Sequence, residues 1–205
     1  MEAKWATPFA EENTRVDAFY APDGETQAEF MYVEHDFRYG ERDGVQLVRL
    51  PYEGTTLAMY VALPEAGGMP ALLDALCTEG MTYFEDMQAG PQVHLSLPKF
   101  SISTGGSLLK ELKAQGLNVA ATTDADFSNL CAEALYIGDV IQNVRVDVDE
   151  QGTSAAAVTA LLMCGTSMPM QPPKTVEMNV DRPFFFAIAD EESGAIAFAG
   201  VVTEV

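Results

Sequence analysis

Ser167, the histidines His35 and His94, and the cysteines Cys77, Cys131 and Cys164 are the residues of this chain with the chemistry to attack or carry a group. A serine becomes a nucleophile when a sharp strand-to-helix turn presents its hydroxyl and an acid-oriented histidine takes its proton. Ser167 follows Gly165-Thr166 but lacks the second glycine of such a turn, and both histidines sit in strand-like stretches with no acid patterned beside them. The pattern argues against a hydrolase, and both histidines read as packing or surface residues. The cysteines are far apart with no metal-like spacing, which disfavours a zinc site or a disulfide framework and predicts buried free thiols. Asp147, Asp149 and Gly152 sketch half of a calcium loop. The alternating valines around those aspartates place them on one strand face, however, and a calcium loop needs further ligands and a closing glutamate. Solvent-facing carboxylates fit better, so no catalytic residue, metal ligand or cofactor is expected.

The elements that must position any site come from a chain of 205 residues, 48% of them hydrophobic, enough for one domain or a large piece of one. Its 31 acidic against 11 basic residues give a net charge of −20, which repels phosphate backbones and anionic headgroups and disfavours nucleic-acid and membrane partners. No apolar run reaches the roughly 18 residues of a membrane helix, and no basic-then-apolar leader opens the chain.

Trp5 to Met31 predicts short strands with a turn at Asp23-Gly24. Val45 to Tyr52 and Thr56 to Leu63 flank Glu53-Gly54 and predict a hairpin. Pro70 to Cys77 predicts a helix whose Leu72, Leu73 and Leu76 share a face. A second helix is predicted to be capped by Ser107, with Leu108, Leu109 and Leu112 inside and Gly116 at its end. Gln92 to Ser103 reads as one strand interrupted by Pro98, Val140 to Val148 as a half-buried strand, and Phe184–Ala189 with Ala195–Val202 as a buried terminal hairpin. Mainly antiparallel β structure with a few short helices, an α+β fold, is the expected class.

One stretch breaks these local rules. Glu150 to Pro183 joins two predicted strands and far exceeds the median connection of about 4–6 residues. No charge occurs from Gln151 to Pro173, and Ala, Val, Leu and Met dominate, unlike a disordered linker. Drawn as a strand, Thr153, Ala155, Ala157 and Thr159 share one face and are all small, so the segment could slide between existing strands. An alanine-rich helix is the local alternative.

Glu150-Gln151-Gly152-Thr153-Ser154-Ala155-Ala156-Ala157-Val158-Thr159-Ala160 resembles the hinge of the serpin family, whose pattern runs close to Glu-Glu-Gly-Thr-Glu-Ala-Ala-Ala-Ala-Thr-Ala. Further landmarks of that family occur in order: Trp5 with Pro8-Phe9, Leu50-Pro51-Tyr52, Leu97-Pro98-Lys99-Phe100, Ala125-Asp126-Phe127-Ser128, Asp181-Arg182-Pro183-Phe184 and Phe198-Ala199-Gly200-Val201-Val202. Gln151 and Ser154 depart from two usual glutamates. The resemblance, to a bacterial-type serpin, implies that residues 1–205 form the C-terminal part of a serpin domain, with an N-terminal part missing and a reactive-centre loop at about 150–175.

The resemblance also implies a function. The exposed loop is cut by a serine, or cysteine, protease, which is trapped as an acyl-enzyme when the freed hinge inserts into the central sheet. The hinge residues are Glu150, Gly152, Thr153, Ala155, Ala157 and Thr159. Family spacing places the reactive bond at Thr166-Ser167, with Met163, Met168 and Met170 as alternative cut sites. The loop has no Arg or Lys, so elastase-like or subtilisin-like partners are expected over trypsin-like ones. Further implied partners are the missing N-terminal part or a second copy of the chain. The family places such proteins outside the cell or in the periplasm. The alternative is a truncated or non-inhibitory serpin-like binding protein without trapping activity.

Overall fold

The computed structural model describes residues 2–131, 133–153 and 174–205. These fall into two compact units, one holding residues up to 101 together with 147–205, the other residues 102–146. In chain order the strands are β1 (Ala3–Lys4), β2 (Arg15–Ala21), β3 (Gly24–His35), β4 (Arg38–Arg42), β5 (Val45–Pro51) and β6 (Leu57–Pro64). After helix α1 (Met69–Glu79) come β7 (Gln92–Pro98) and β8 (Phe100–Ser107), then helix α2 (Leu109–Ala114). The chain continues through β9 (Ile141–Asp149), β10 (Gly152–Thr153), β11 (Thr175–Asn179), β12 (Phe184–Asp190) and β13 (Ile196–Val202). The α+β class, dominated by antiparallel strands, is as expected from the pattern.

The predicted hairpin is β5–β6, and it forms the middle of a sheet ordered β13-β12-β6-β5-β4. Ala58, Met59, Val61, Ala62 and Leu63 are all fully buried, because β6 is flanked on both edges and covered on both faces. Helix α1 covers part of this sheet. Its Pro70 occupies the first turn, where no donor is needed, and Gly80 ends it at φ 60° with its N–H on the Leu76 carbonyl. Leu72, Tyr83, Phe84 and Met87 then pack on Val45, Leu47 and Ala62. Removing that much apolar surface from water is the main force holding the layer down, at about 25 cal/mol per Å².

A second sheet runs β11-β7-β3-β2. The tight β2–β3 hairpin turns at the predicted Asp23-Gly24, with Gly24 at φ 136°. Three expectations give way here. Gln92 to Ser103 is two strands rather than one: the chain breaks after Pro98, β7 pairs with β3, and β8 belongs to a different sheet. Pro98 cannot extend a ladder as a donor, and the Lys99 N–H turns to the Glu29 carbonyl at 2.8 Å. Among the described residues, the long connection after Asp149 holds two strands, β10 and β11, the latter parallel to β7. The terminal hairpin exists, but its burial is concentrated in β12, where only Phe185 and Asp190 are half-buried; β13 is an edge strand among the described residues, with Val202 alone buried.

The third sheet is ordered β1-β10-β9-β8. In the smaller unit, Ser107 accepts the Leu109 N–H at 3.3 Å, so it supports α2 from the end of β8 rather than as the residue directly before the helix. The inner stripe Leu108, Leu109 and Leu112 is half-buried. The cysteine expectation is corrected as well: Cys77 lies exposed on the outer side of α1, opposite its buried Leu72, and Cys131 is half-buried.

Candidate hinge site

Strand β9 rises with Val146 and Val148 buried and Asp147 and Asp149 on the other face, as the alternation demands. At its end the Asp149 Oδ1 accepts the N–H groups of Gln151 and Gly152 at 2.9 and 3.2 Å. This side-chain turn reverses the chain and engages Asp149 Oδ1 with the backbone. Asp147 accepts from the Ser101 hydroxyl at 2.6 Å. Among the described residues no cluster of His, Cys, Asp and Glu could hold a metal.

After the reversal, Gly152 and Thr153 run back as β10, with Gly152 opposite Asp149 and Thr153 opposite Val148. On its other side β10 pairs with β1, Ala3 facing Thr153 and Lys4 facing Gly152. Gly152 and Thr153 therefore form a short strand lodged between two others. Glycine is required there: a Cβ on residue 152 would fall 2.1 Å from the Ala3 carbonyl oxygen and 2.8 Å from the Lys4 Cα.

Glu150, at the turn, is 7% exposed. Its Oε1 accepts from the Thr14 hydroxyl at 2.7 Å and from the Lys99 ammonium at 2.8 Å. Burial pushes the carboxyl up, but the hydrogen bonds from Lys99 and Thr14 outweigh it and hold the group below the usual carboxylate range. The same contact raises the Lys99 ammonium. Gln151 Nε2 reaches Glu11 Oε1 at 3.4 Å, so a glutamate at 151 would set two carboxylates against each other. That gives this departure from the family pattern a physical reason.

An aromatic wall closes the site. The Trp5 indole N–H donates to the Asp149 carbonyl at 2.9 Å, and its backbone N–H to Gln151 at 2.9 Å. Trp5 stacks on Tyr52 with centroids 4.7 Å apart and planes 10° off parallel, and Phe9 meets it edge-on at 6.3 Å. The Tyr52 and Thr153 hydroxyls share a buried hydrogen bond of 2.7 Å.

Of the residues singled out from sequence, the structure brings Glu150, Gly152 and Thr153 together. Ala155, Ala157, Thr159, the Thr166-Ser167 bond and Met163, Met168 and Met170 lie outside the described residues. Sequence reasoning missed Thr14, Lys99 and Tyr52 as partners of the hinge. Tyr52 and Lys99 stood in family landmarks, but their distance from residue 150 along the chain gave no pairing signal.

His94 was also read without acid neighbours. In the structure its Nδ1 lies 2.9 Å from Glu177 and its Nε2 3.5 Å from Glu34, directly across strands on either side. His35 is exposed against Phe37. Neither histidine lies near a serine nucleophile arrangement among the described residues.

The family model described as Serpin (serine protease inhibitor) matches residues 1–205. The chain belongs to the serpin family. Curated serpins that it resembles include an uncharacterized serpin-like protein of Methanosarcina mazei, 32% identical over 98% of this chain and 48% of that protein. Serpin-Z1C of Triticum aestivum is 34% identical over 98% of this chain and 53% of its own length. Plasminogen activator inhibitor 1 of Sus scrofa is 32% identical over 100% and 52%. Among solved structures, the insect Serpin48 of Tenebrio molitor superposes with a TM-score of 0.80 at 30% identity, covering all of this chain and 54% of that one. Human thyroxine-binding globulin with its ligand superposes at 0.86, but at 24% identity that likeness concerns the fold alone. This serpin spans about half the length of the curated relatives it matches, and its architecture is that of the C-terminal portion of the serpin fold. Serpins generally inhibit proteases rather than catalyse reactions, and the family is largely extracellular. Among the described residues no helix is long and apolar enough to cross a membrane.

Proposed function

We propose that this chain carries the hinge and bait loop of a suicide inhibitor of serine endopeptidases, with cysteine endopeptidases as a second target class. One observation carries the reading: Gly152 and Thr153 are already a strand seated between β1 and β9, so the segment that follows has a slot to lengthen into. The protease nucleophile attacks the carbonyl of Thr166, the bond to Ser167 breaks, and the new amine leaves with a proton, giving an ester or thioester to Thr166. The freed segment then adds to the sheet before water can release the protease. A strand of about ten residues gains on the order of ten backbone hydrogen bonds at ~1 kcal/mol net each. Burial of Ala155, Ala157 and Thr159 on the Thr153 face adds to this.

The absence of Arg and Lys between Gln151 and Pro173 favours elastase-like and subtilisin-like targets. The reaction needs no cofactor, and the working compartment is extracellular or periplasmic. The test is incubation with such proteases, followed by denaturing electrophoresis for a covalent complex and N-terminal sequencing of the released fragment, which should begin at Ser167. Thr153 is buried, so Thr153→Arg should turn inhibitor into substrate; equal yields of complex from variant and wild type overturn the proposal.

The second reading, a serpin-like binding protein without trapping activity, draws on the register. With Ala3 opposite Thr153, a strand lengthened in the same register would bring residue 155 opposite residue 1, and later loop residues would take their partner strand from a preceding segment of a longer protein or from a second copy. If the 205-residue chain is cut without trapping, but traps once either is supplied, the inhibitor reading holds for the assembled molecule.

A further inference from the structure

A newly inserted strand must choose a register, and its backbone cannot make that choice. Every residue offers the ladder the same N–H and C=O, while a slip of one residue turns all following side chains to the opposite face. In this hinge a slip would carry Ala155, Ala157 and Thr159 off the face that Thr153 occupies and put Ser154, Ala156 and Val158 there instead.

Two side-chain features bear on the choice. Gly152 excludes wrong residues, since any Cβ at its place meets the Ala3 carbonyl. Tyr52 selects the right one. It follows β5, is 2% exposed, and is held by its N–H on the Leu57 carbonyl at 3.1 Å and by the Trp5 ring stacked on its face. Trp5 is in turn tied through its indole N–H to the last carbonyl of β9. The Tyr52 hydroxyl is thus fixed relative to both walls of the slot, and it meets the Thr153 hydroxyl at 2.7 Å in a buried setting. A glycine slipped into that place leaves the phenol unpaired.

We infer that Tyr52 is a positioning residue that sets the insertion register by pairing its hydroxyl with the hydroxyl of residue 153. The inference rests on the bait-loop reading for its purpose, but it makes a prediction for the uncut protein. Tyr52→Phe and Thr153→Val each strand one buried hydroxyl and should speed amide hydrogen exchange in β10 by about tenfold, the effect of an unpaired buried polar group. The double variant removes both hydroxyls and should exchange no faster than either single variant. Thr153→Ser, which keeps the hydroxyl, should stay within about twofold of wild type. Fluorescence of Trp5, the one tryptophan in the sequence, reports the same opening and checks that each variant is folded.

If the two single effects multiply in the double variant, or if Tyr52→Phe leaves β10 exchange unchanged, the inference is overturned. Because these readings need no protease, they separate the two proposals. Coupling without trapping, even when a preceding segment or a second copy is supplied, would sink the inhibitor reading and leave the Tyr52–Thr153 pairing standing; trapping without coupling does the reverse.

Discussion

Lys99→Met tests the hinge anchor most directly. The substitution keeps the apolar stem of the side chain and deletes only the ammonium that Glu150 Oε1 holds at 2.8 Å, leaving a buried carboxylate with the Thr14 hydroxyl. Removing one partner of a fully buried pair costs about 3–5 kcal/mol. Here the Lys99 side chain is 30% exposed and water screens part of the interaction, so the worth of a charge-assisted hydrogen bond, about 1.5–3 kcal/mol, is the better guide. For a chain of this size that lowers Tm by roughly 3–12 °C at neutral pH.

The pH dependence carries a definite sign. The folded-state value of Glu150 is held below its ordinary one. Its contribution is therefore fully present above the unfolded glutamate range, near 4.3, and is lost as pH falls through the folded value. The gap between wild type and Lys99→Met should close on acidification, because a protonated Glu150 has no ion pair to lose. Thermal unfolding followed by Trp5 fluorescence, at pH 7 and then stepwise downward, measures the gap. A Tm difference independent of pH, or no difference at pH 7, refutes the electrostatic account.

Gly152→Ala should cost about 2–3 kcal/mol, because its Cβ would strike backbone that cannot move aside without parting β10 from β1; denaturant unfolding and a shift in Trp5 emission would show it, and an unchanged midpoint would contradict the geometry. Arg49, on β5, forms a two-pronged pair with Glu191 in the β12–β13 turn, and the Tyr60 hydroxyl reaches the same carboxylate at 3.0 Å. Arg49→Lys keeps the charge but loses the planar fork, so stability should fall by about 1 kcal/mol in urea titrations, whereas equal stability would mean that charge alone matters there.

Much of this fold is legible before any coordinates. Alternation in Val140 to Val148 and the apolar runs of Val45 to Leu63 and Phe184 to Ala189 report strands because a pleated chain must send successive side chains to opposite faces. Pro70 and Gly116 mark helix ends for equally local reasons. Periodicity failed where a local pattern has two tertiary solutions. Val93, Leu95 and Leu97, and then Phe100 and Ile102, each keep a period of two on either side of a phase shift at Pro98, and the two halves join different sheets. Thr175–Asn179 is a strand because it lies along β7, not because five such residues favour one. Ala195 to Val202 is apolar enough for a core strand and is nevertheless an edge, since among the described residues no further strand pairs with its outer side.

The sequence by itself determined the family and most of the strands and helices, because each is written in residue patterns that can be read along the chain. Only the tertiary structure decided that Glu150 is anchored by Thr14 and Lys99, that Gly152 sits against the Ala3 carbonyl, and that a stacked Tyr52 meets Thr153. Those partners are separated by 51 to 149 positions along the chain. A hydrogen bond of 2.7 Å is set by where the sheets bring two atoms, and no local pattern encodes that distance.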